Sequence, residues 1–511
     1  MKTLIIERNR YFDSVFLMRI SSELEKLEDI AQAVVAMATP VNLENLIKSG
    51  FELGDAAGAP QPADLIIAVD ASSDGALTTA RARLEELLAG GTDDDSGTQA
   101  APPTSLADAL TADPKATLAL ISVPGIHAAR EARQALRRGL HVMLFSDNVT
   151  VEDEIALKDE AIARGLLMMG PDCGTAILNG AALGFANACR SGTIGIVGAS
   201  GTGIQEISSL VHQLGGGISQ AIGTGGRDLS EAVDGRMTQF GIEALGNDPG
   251  TDVIVVVSKT PSPSVADKIM QTLASTGKPA VVHFIGGRAE QLTDRMETTS
   301  TLADAALAAV DKAGIDVPEP AVVSPIAETP QQLAPISGRV AGFYCGGTLC
   351  QETWNILHQA GLDVRSNVAG DPAKKIHPEA QETGHTVWDL GDDAFTVGKP
   401  HPMIEPSLRD DRVAQAGEDP SVGVILADCV IGYGAHENPA GSLADAAIRA
   451  IGAAKKAGRS LILLASVTGT ERDPQDLHQQ REILEAAGVI VAPSNAAAAR
   501  AAVDLMKGTS S

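Results

Sequence analysis

Several short stretches of this sequence bring together residue types that could handle an anion. The first is Gly198, Ser200, Gly201, Thr202 and Gly203. It lies between a β-branched run at 194–197 and a segment in which Ile204, Ile207, Leu210, Val211 and Leu214 repeat at helical spacing. A strand that turns through glycine into a helix leaves unpaired N–H groups and the positive helix end at one spot, which suits a phosphate or a carboxylate. The same residues also suit an ordinary tight turn, where glycine serves only backbone shape. Gly346, Gly347 and Thr348 repeat the idea further along the chain.

Other candidates sit where strands end. Arg227, in Gly223-Thr-Gly-Gly-Arg-Asp228, could fork onto a carboxylate or phosphate, or pair with Asp228 in a surface turn. Lys259 closes an apolar run and could neutralise a developing oxyanion, or simply be solvated. Asp172, in Gly170-Pro-Asp-Cys-Gly174, is a substrate-binding candidate at a strand end. His401, fixed between two prolines, could serve as acid or base near neutral pH, or pack in a loop. His436 follows glycines and offers a remote phosphohistidine candidate. Arg472, with Thr470, Glu471 and Asp473, could close the same site or form a surface ion pair. Cys173 reads as a packed residue rather than a nucleophile.

The elements that must position these groups alternate. Strands near 117–123, 141–145 and 166–169 alternate with helices near 128–138 and 151–164, the rhythm of a parallel, doubly wound sheet whose ligands sit at the carboxyl ends of strands. The expected fold class is α/β: a Rossmann-like unit over 1–190, flavodoxin-like units over 191–317 and 338–511, and a proline-rich linker over 318–337. The last two units read as diverged copies, each opening on a strand, a glycine loop and an amphipathic helix. Residues 90–105 read as a low-complexity loop.

Composition bounds the partners. The formal charge is −26 over 511 residues, which argues against nucleic acid and anionic membranes while leaving room for a small anionic substrate in a local pocket. Aromatic residues are only 3%, against 44% hydrophobic residues overall, as buried parallel strands often show. The five cysteines match no zinc spacing, so no metal site is expected, and a reduced, cytoplasmic protein is.

The strings Ala119-Leu-Ile-Ser-Val-Pro124, Ser146-Asp-Asn-Val149, Gly170-Pro-Asp-Cys-Gly174 and Gly195-Ile-Val-Gly-Ala-Ser-Gly-Thr202 keep an order that resembles the α subunit of succinyl-CoA synthetase. Residues 339–500 resemble the C-terminal ligase domain of its β subunit. The whole chain resembles the FdrA family, through Phe145-Ser-Asp-Asn-Val-Thr150, Ile222-Gly-Thr-Gly-Gly-Arg-Asp-Leu229 and Val467-Thr-Gly-Thr-Glu-Arg-Asp-Pro474 among others. The resemblance implies a carbamoyltransferase subunit like that of oxamate carbamoyltransferase, which makes oxamate and carbamoyl phosphate from oxalurate and phosphate with two further subunits. The runner-up is an acyl-CoA synthetase subunit that binds CoA, and a third reading is a scaffold that has lost catalysis. The resemblance further implies that the two helix ends sandwich one phosphate. The synthetases carry a phosphorylated histidine in a Gly-His-Ala-Gly loop, whereas this sequence reads Phe284-Ile-Gly-Gly-Arg-Ala-Glu290. That departure favours phosphate handling without a nucleotide.

Overall fold

The computed structural model describes residues 2–507 except 9, 11, 13, 28, 40–41, 44–45, 48, 52–59, 62, 91–102, 288–290, 318–335, 379, 381 and 397–399. Most of the expected loop at 90–105 and of the linker at 318–337 therefore lies outside the described residues. The chain divides into two compact units, 1–102 with 396–400, and 103–395 with 401–511.

The first unit holds β1 (Lys2–Glu7), α1 (Ser14–Glu25), β2 (Ile30–Met37), β3 (Leu65–Ala71) and α2 (Asp74–Gly90). β3 lies between β1 and β2 and runs antiparallel to both. This differs from the single Rossmann-like unit expected over 1–190. The apolar run Leu65-Ile-Ile-Ala-Val69 is buried, and a buried central strand reads the same whether its neighbours are parallel or antiparallel.

The second unit opens with α3 (Leu106–Ala112), β4 (Leu118–Ile121), α4 (Gly125–Arg137), β5 (His141–Leu144), α5 (Val151–Ala163) and β6 (Met168–Met169). β4, β5 and β6 form a short parallel sheet, as the alternating rhythm predicts. Ala128, Ala129, Ala132 and Ala135 give α4 the small, flat face that packs on this sheet. The hairpin β7 (Thr175–Leu178) and β8 (Ala181–Gly184) then leaves this sheet and joins the next one.

That next sheet is the core of the first lobe. Its elements are β9 (Ser191–Ala199), α6 (Gly201–Gln213), β10 (Ile218–Gly223), α7 (Arg236–Asn247), β11 (Val253–Lys259), α8 (Pro263–Thr276), β12 (Ala280–Ile285), β13 (Met296–Thr298) and α9 (Leu302–Lys312). The second lobe has β14 (Arg339–Tyr344), α10 (Gly347–Gln359), β15 (Val364–Ser366), β16 (His385–Asp389), α11 (Ser407–Glu418), β17 (Val422–Val430), α12 (Pro439–Lys456), β18 (Ile462–Thr468), α13 (Leu477–Ala486), β19 (Ile490–Ala492) and α14 (Asn495–Lys507). The orders β10-β9-β11-β12-β13 and β16-β14-β17-β18-β19 are both the flavodoxin-like order, all parallel. The middle strands β11 and β17 are buried on both faces, which is why they are rich in Val, Ile and Leu with no polar alternation over 253–257 and 422–427.

One hydrophobic cluster runs through both lobes, from Ile204 and Ile207 of α6 to Leu349 and Trp354 of α10 and Ala498 of α14. Buried acids stitch the same interface. Glu206 of α6 accepts from the backbone N–H of Asn495, the first residue of α14, at 3.1 Å. Glu352 of α10 accepts from the N–H of Leu302, the first residue of α9, at 2.7 Å. Each lobe thus caps the last helix of the other, and the Asn495 amide joins the two acids by donating to Glu352 at 2.7 Å. Among the described residues, no helix is long and apolar enough to cross a membrane.

Candidate functional site

The two glycine turns bring α6 and α10 end to end. In α6, Ser200 is the N-cap with extended backbone, and its Oγ accepts from the Gly203 N–H at 3.2 Å. Ser200 Oγ also lies 2.5 Å from Thr348 Oγ1 of α10. The Thr202 methyl packs against Gly346, where a Cβ would lie 2.9 Å from it. Only glycine permits this approach, so Gly346 serves the contact between helix ends.

Two donors of the second turn, the N–H groups of Cys345 and Gly346, are already engaged. Asp428, on β17 and fully buried, accepts from the Cys345 N–H at 2.8 Å and the Gly346 N–H at 2.7 Å. Asp389, at the end of β16, presses so closely on Gly347 that no side chain would fit there. Its Oδ1 accepts from the Gly391 N–H at 2.9 Å. Gly346 and Gly347, expected to hold phosphate, therefore face two of the protein's own carboxyl groups. An aspartate directly after the apolar run 424–427 was the signal for Asp428, and sequence reasoning passed over it.

The first turn differs. The N–H groups of Gly201 and Thr202 point out of the first turn of α6 without a protein acceptor among the described residues. Beside them sits Thr175, the first residue of β7. Its Oγ1 is buried without a hydrogen-bond partner and lies 3.3 Å from where a Cβ on Gly201 would stand. Thr175 was absent from the expected site, because β7 reaches α6 only through the hairpin.

Charged groups ring these ends. Lys259 is exposed at the carboxyl end of β11. Burial pushes the Asp389 carboxyl up to about 7, against the pull of Lys259. Desolvation by the surrounding protein raises Asp172 to about 6 although its residue stays exposed at the surface, again opposed by Lys259 and reinforced by Asp147 and Asp393. Asp172 holds a left-handed backbone, φ 56°. Lys259 thus acts electrostatically on both Asp172 and Asp389, and Asp389 was not among the expected site residues.

Arg227 is committed differently from either expectation. Its Nη2 donates to the Val149 carbonyl at 2.7 Å and pairs with Glu154 at 3.0 Å. Asp228 instead pairs with the buried Lys158 at 2.7 Å and caps α7 through the Thr238 N–H. Arg227 still influences Asp172 electrostatically and keeps its side chain 46% exposed, so the remaining N–H groups of its fork can face a ligand.

His401 and Arg472 do not join the cluster. Burial lowers His401 to about 4, so the ring is neutral at physiological pH. Its Nδ1 accepts from the Met403 N–H at 3.2 Å, and the ring stacks obliquely on Phe185 at 5.8 Å. Packing and a local turn account for it. Arg472 is half exposed, with Glu471 3.9 Å away. Its neighbours knit the lobes: Asp473 accepts from Asn187 and from the Ala188 N–H, and Glu471 meets His212 at 2.8 Å. His436 Nδ1 accepts from the Asn438 N–H. Burial pushes the Cys173 thiol up to about 12, consistent with a packed residue.

Comparison with known proteins follows the same division. Residues 1–103 match the AllF, heavy metal-associated domain, residues 190–286 the CoA binding domain and residues 343–505 the CoA-ligase family. The matched CoA binding stretch is the first flavodoxin-like lobe rather than the 1–190 region. These matches define a chain that carries a CoA binding domain and a CoA-ligase domain behind its first unit. It is 46% identical over 501 residues, 96% of each chain, to YahF of Escherichia coli (strain K12), and it belongs to that protein's family. It is 31% identical over 180 residues, 34% of this chain and 57% of the relative, to the succinate–CoA ligase (ADP-forming) subunit alpha-2, mitochondrial, of Trichomonas vaginalis. Among solved structures, the dinucleotide forming acetyl-coenzyme A synthetase 1 of Ca. Korarchaeum cryptofilum matches 76% of this chain and 82% of that chain at 15% identity, with a TM-score of 0.29.

The heavy-metal label of the first unit does not fit its residues. Residues 1–103 contain no cysteine and no histidine, so the thiolate and imidazole ligands of soft metals are missing. Among the described residues, no group of three His, Cys, Asp or Glu side chains could hold a metal ion.

Proposed function

We propose that this chain takes part in phosphate-linked acyl transfer of the acyl-CoA synthetase class, working without a phosphohistidine relay. The observation that carries the reading is the meeting of the α6 and α10 N-termini at Ser200 and Thr348, beside the exposed Lys259. Helix N-termini that converge with a cation favour an oxyanion. In such a transfer, a phosphate oxygen attacks the acyl carbon and the bond to the leaving group breaks. The Gly201 and Thr202 N–H groups hold the phosphoryl oxygens, and Lys259 offsets charge that develops on the carbonyl oxygen. In this reading Asp172 and Asp389, raised towards neutrality, carry the proton that the leaving group needs. The relatives named as succinate–CoA ligases support CoA as a second ligand.

A second reading makes the transferred group carbamoyl and the chain a subunit like that of oxamate carbamoyltransferase, working with two further subunits. The AllF match over residues 1–103 favours it. So does the run Phe284-Ile-Gly-Gly-Arg-Ala-Glu290, which offers no histidine to phosphorylate. Calorimetric titration of the full chain with phosphate, carbamoyl phosphate and CoA separates the two. Micromolar CoA binding supports the acyl-CoA reading. Carbamoyl phosphate binding without CoA binding supports the carbamoyl reading. Binding of none of the three, alone or with partner subunits, overturns both.

A further inference from the structure

The two lobes are built alike, yet their helix ends are furnished differently. Gly201-Thr-Gly-Ile-Gln-Glu206 opens α6 and Gly347-Thr-Leu-Cys-Gln-Glu352 opens α10, so the glycine, threonine, glutamine and glutamate coincide. At α10, Asp428 bridges the Cys345 and Gly346 N–H groups with both carboxyl oxygens, and Asp389 lies against Gly347. Neither helix carries an acidic residue in its first turn, but at α6 the group beside Gly201 is the Thr175 hydroxyl, 2% exposed and, among the described residues, without a partner. A buried hydroxyl left unpaired is costly, and it persists where a ligand supplies the missing bond. The hairpin register holds it there: Thr175 pairs with Gly184 in β8, and its carbonyl sits against Gly223 at the end of β10.

We infer that Thr175 is the side-chain ligand of an oxyanion, phosphoryl or carboxylate, at the N-terminus of α6, and that Asp428 is the resident anion of the matching end of α10, so the chain takes one such anion and not two. The Thr175 hydroxyl donates to an anion oxygen, alongside the Gly201 and Thr202 N–H groups. Asp428 already answers the dipole of α10, and a second anion there would meet Asp428 and Asp389 at close range. This inference rests on the phosphate-linked reading above, and adds to it a ligand residue and a stoichiometry.

The test titrates the full chain with inorganic phosphate and, separately, with sulfate, for the wild type, Thr175→Val and Thr175→Ser. One equivalent is expected to bind to the wild type. Thr175→Val is expected to weaken binding about tenfold or more, as loss of a hydrogen bond to a charged group does, and Thr175→Ser to restore most of it. Without ligand, Thr175→Val is expected to melt at or above the wild-type temperature, because it removes an unpaired hydroxyl while keeping the shape. A Thr175→Val chain that binds as tightly as wild type overturns the inference and leaves the phosphate reading standing. Two equivalents in the wild type overturn the assignment of Asp428. A wild type that binds no anion under any condition overturns the phosphate reading itself.

Discussion

The hydroxyls of Ser200 and Thr348 meet at 2.5 Å across 148 residues of sequence. Ser200 caps the first helix of one lobe and Thr348 is the second residue of the first helix of the other, so the contact joins the two helix starts. Ser200→Ala is expected to cost about 1 kcal/mol or somewhat more in urea denaturation, through the lost cap and the partner left behind. Thr348→Val should cost less, and the double variant less than the sum, since the two share one bond. Strict additivity would show that the contact does not form in solution.

Two buried acids give stability a defined pH dependence. Burial raises Asp389 to about 7 and Glu352 to about 7, from 3.8 and 4.5. Between roughly pH 4 and 7 the folded chain then holds protons that the unfolded chain has lost. Their contribution is full below about pH 4, falls as pH rises and is gone above about 7. Denaturant midpoints measured from pH 5 to 8 should decline across that window, and Asp389→Asn should flatten the decline. A rising midpoint in that range for the wild type would count against these shifts.

Lys259 opposes the rise of both Asp172 and Asp389. Lys259→Met removes that influence, so both carboxyl groups should titrate at higher pH. It also removes a cation from the anion's surroundings. Sulfate, whose own charge is constant near neutrality, should bind several-fold more weakly to the variant at low salt, and the gap should narrow as salt screens the exposed lysine. Equal affinity at low salt would place Lys259 outside the site.

Metal supply should leave this protein unchanged. With no cysteine or histidine in residues 1–103, the purified chain is expected to carry no stoichiometric copper or zinc by elemental analysis, and chelator should not shift its melting. One equivalent of tightly held metal would contradict the reading of that unit.

The sequence made the α/β rhythm and the two flavodoxin-like lobes legible, because each rests on local period or on a repeated local string, while the meeting of the two glycine turns was implied only by the family resemblance. What depended on long-range contact was hidden. The antiparallel neighbours of Leu65–Ala71 leave no mark on that strand's own residues. Asp428 reads as any strand-end acid until the fold sets it under the Gly346 N–H. Thr175 joins α6 through a hairpin that leaves one sheet for another. His401 looked like an acid–base residue because prolines flank it. Burial and a bond to its own Met403 N–H show a packed ring instead.

The crossed carboxylates of Glu206 and Glu352 also constrain motion. If the lobes swung apart like jaws, two acids and the starts of two helices would be stripped of their partners together. The pair is better regarded as a single casting than as a hinge. Traffic of substrate in and out would then be gated by the smaller pieces at the strand ends, while the lobes themselves keep still.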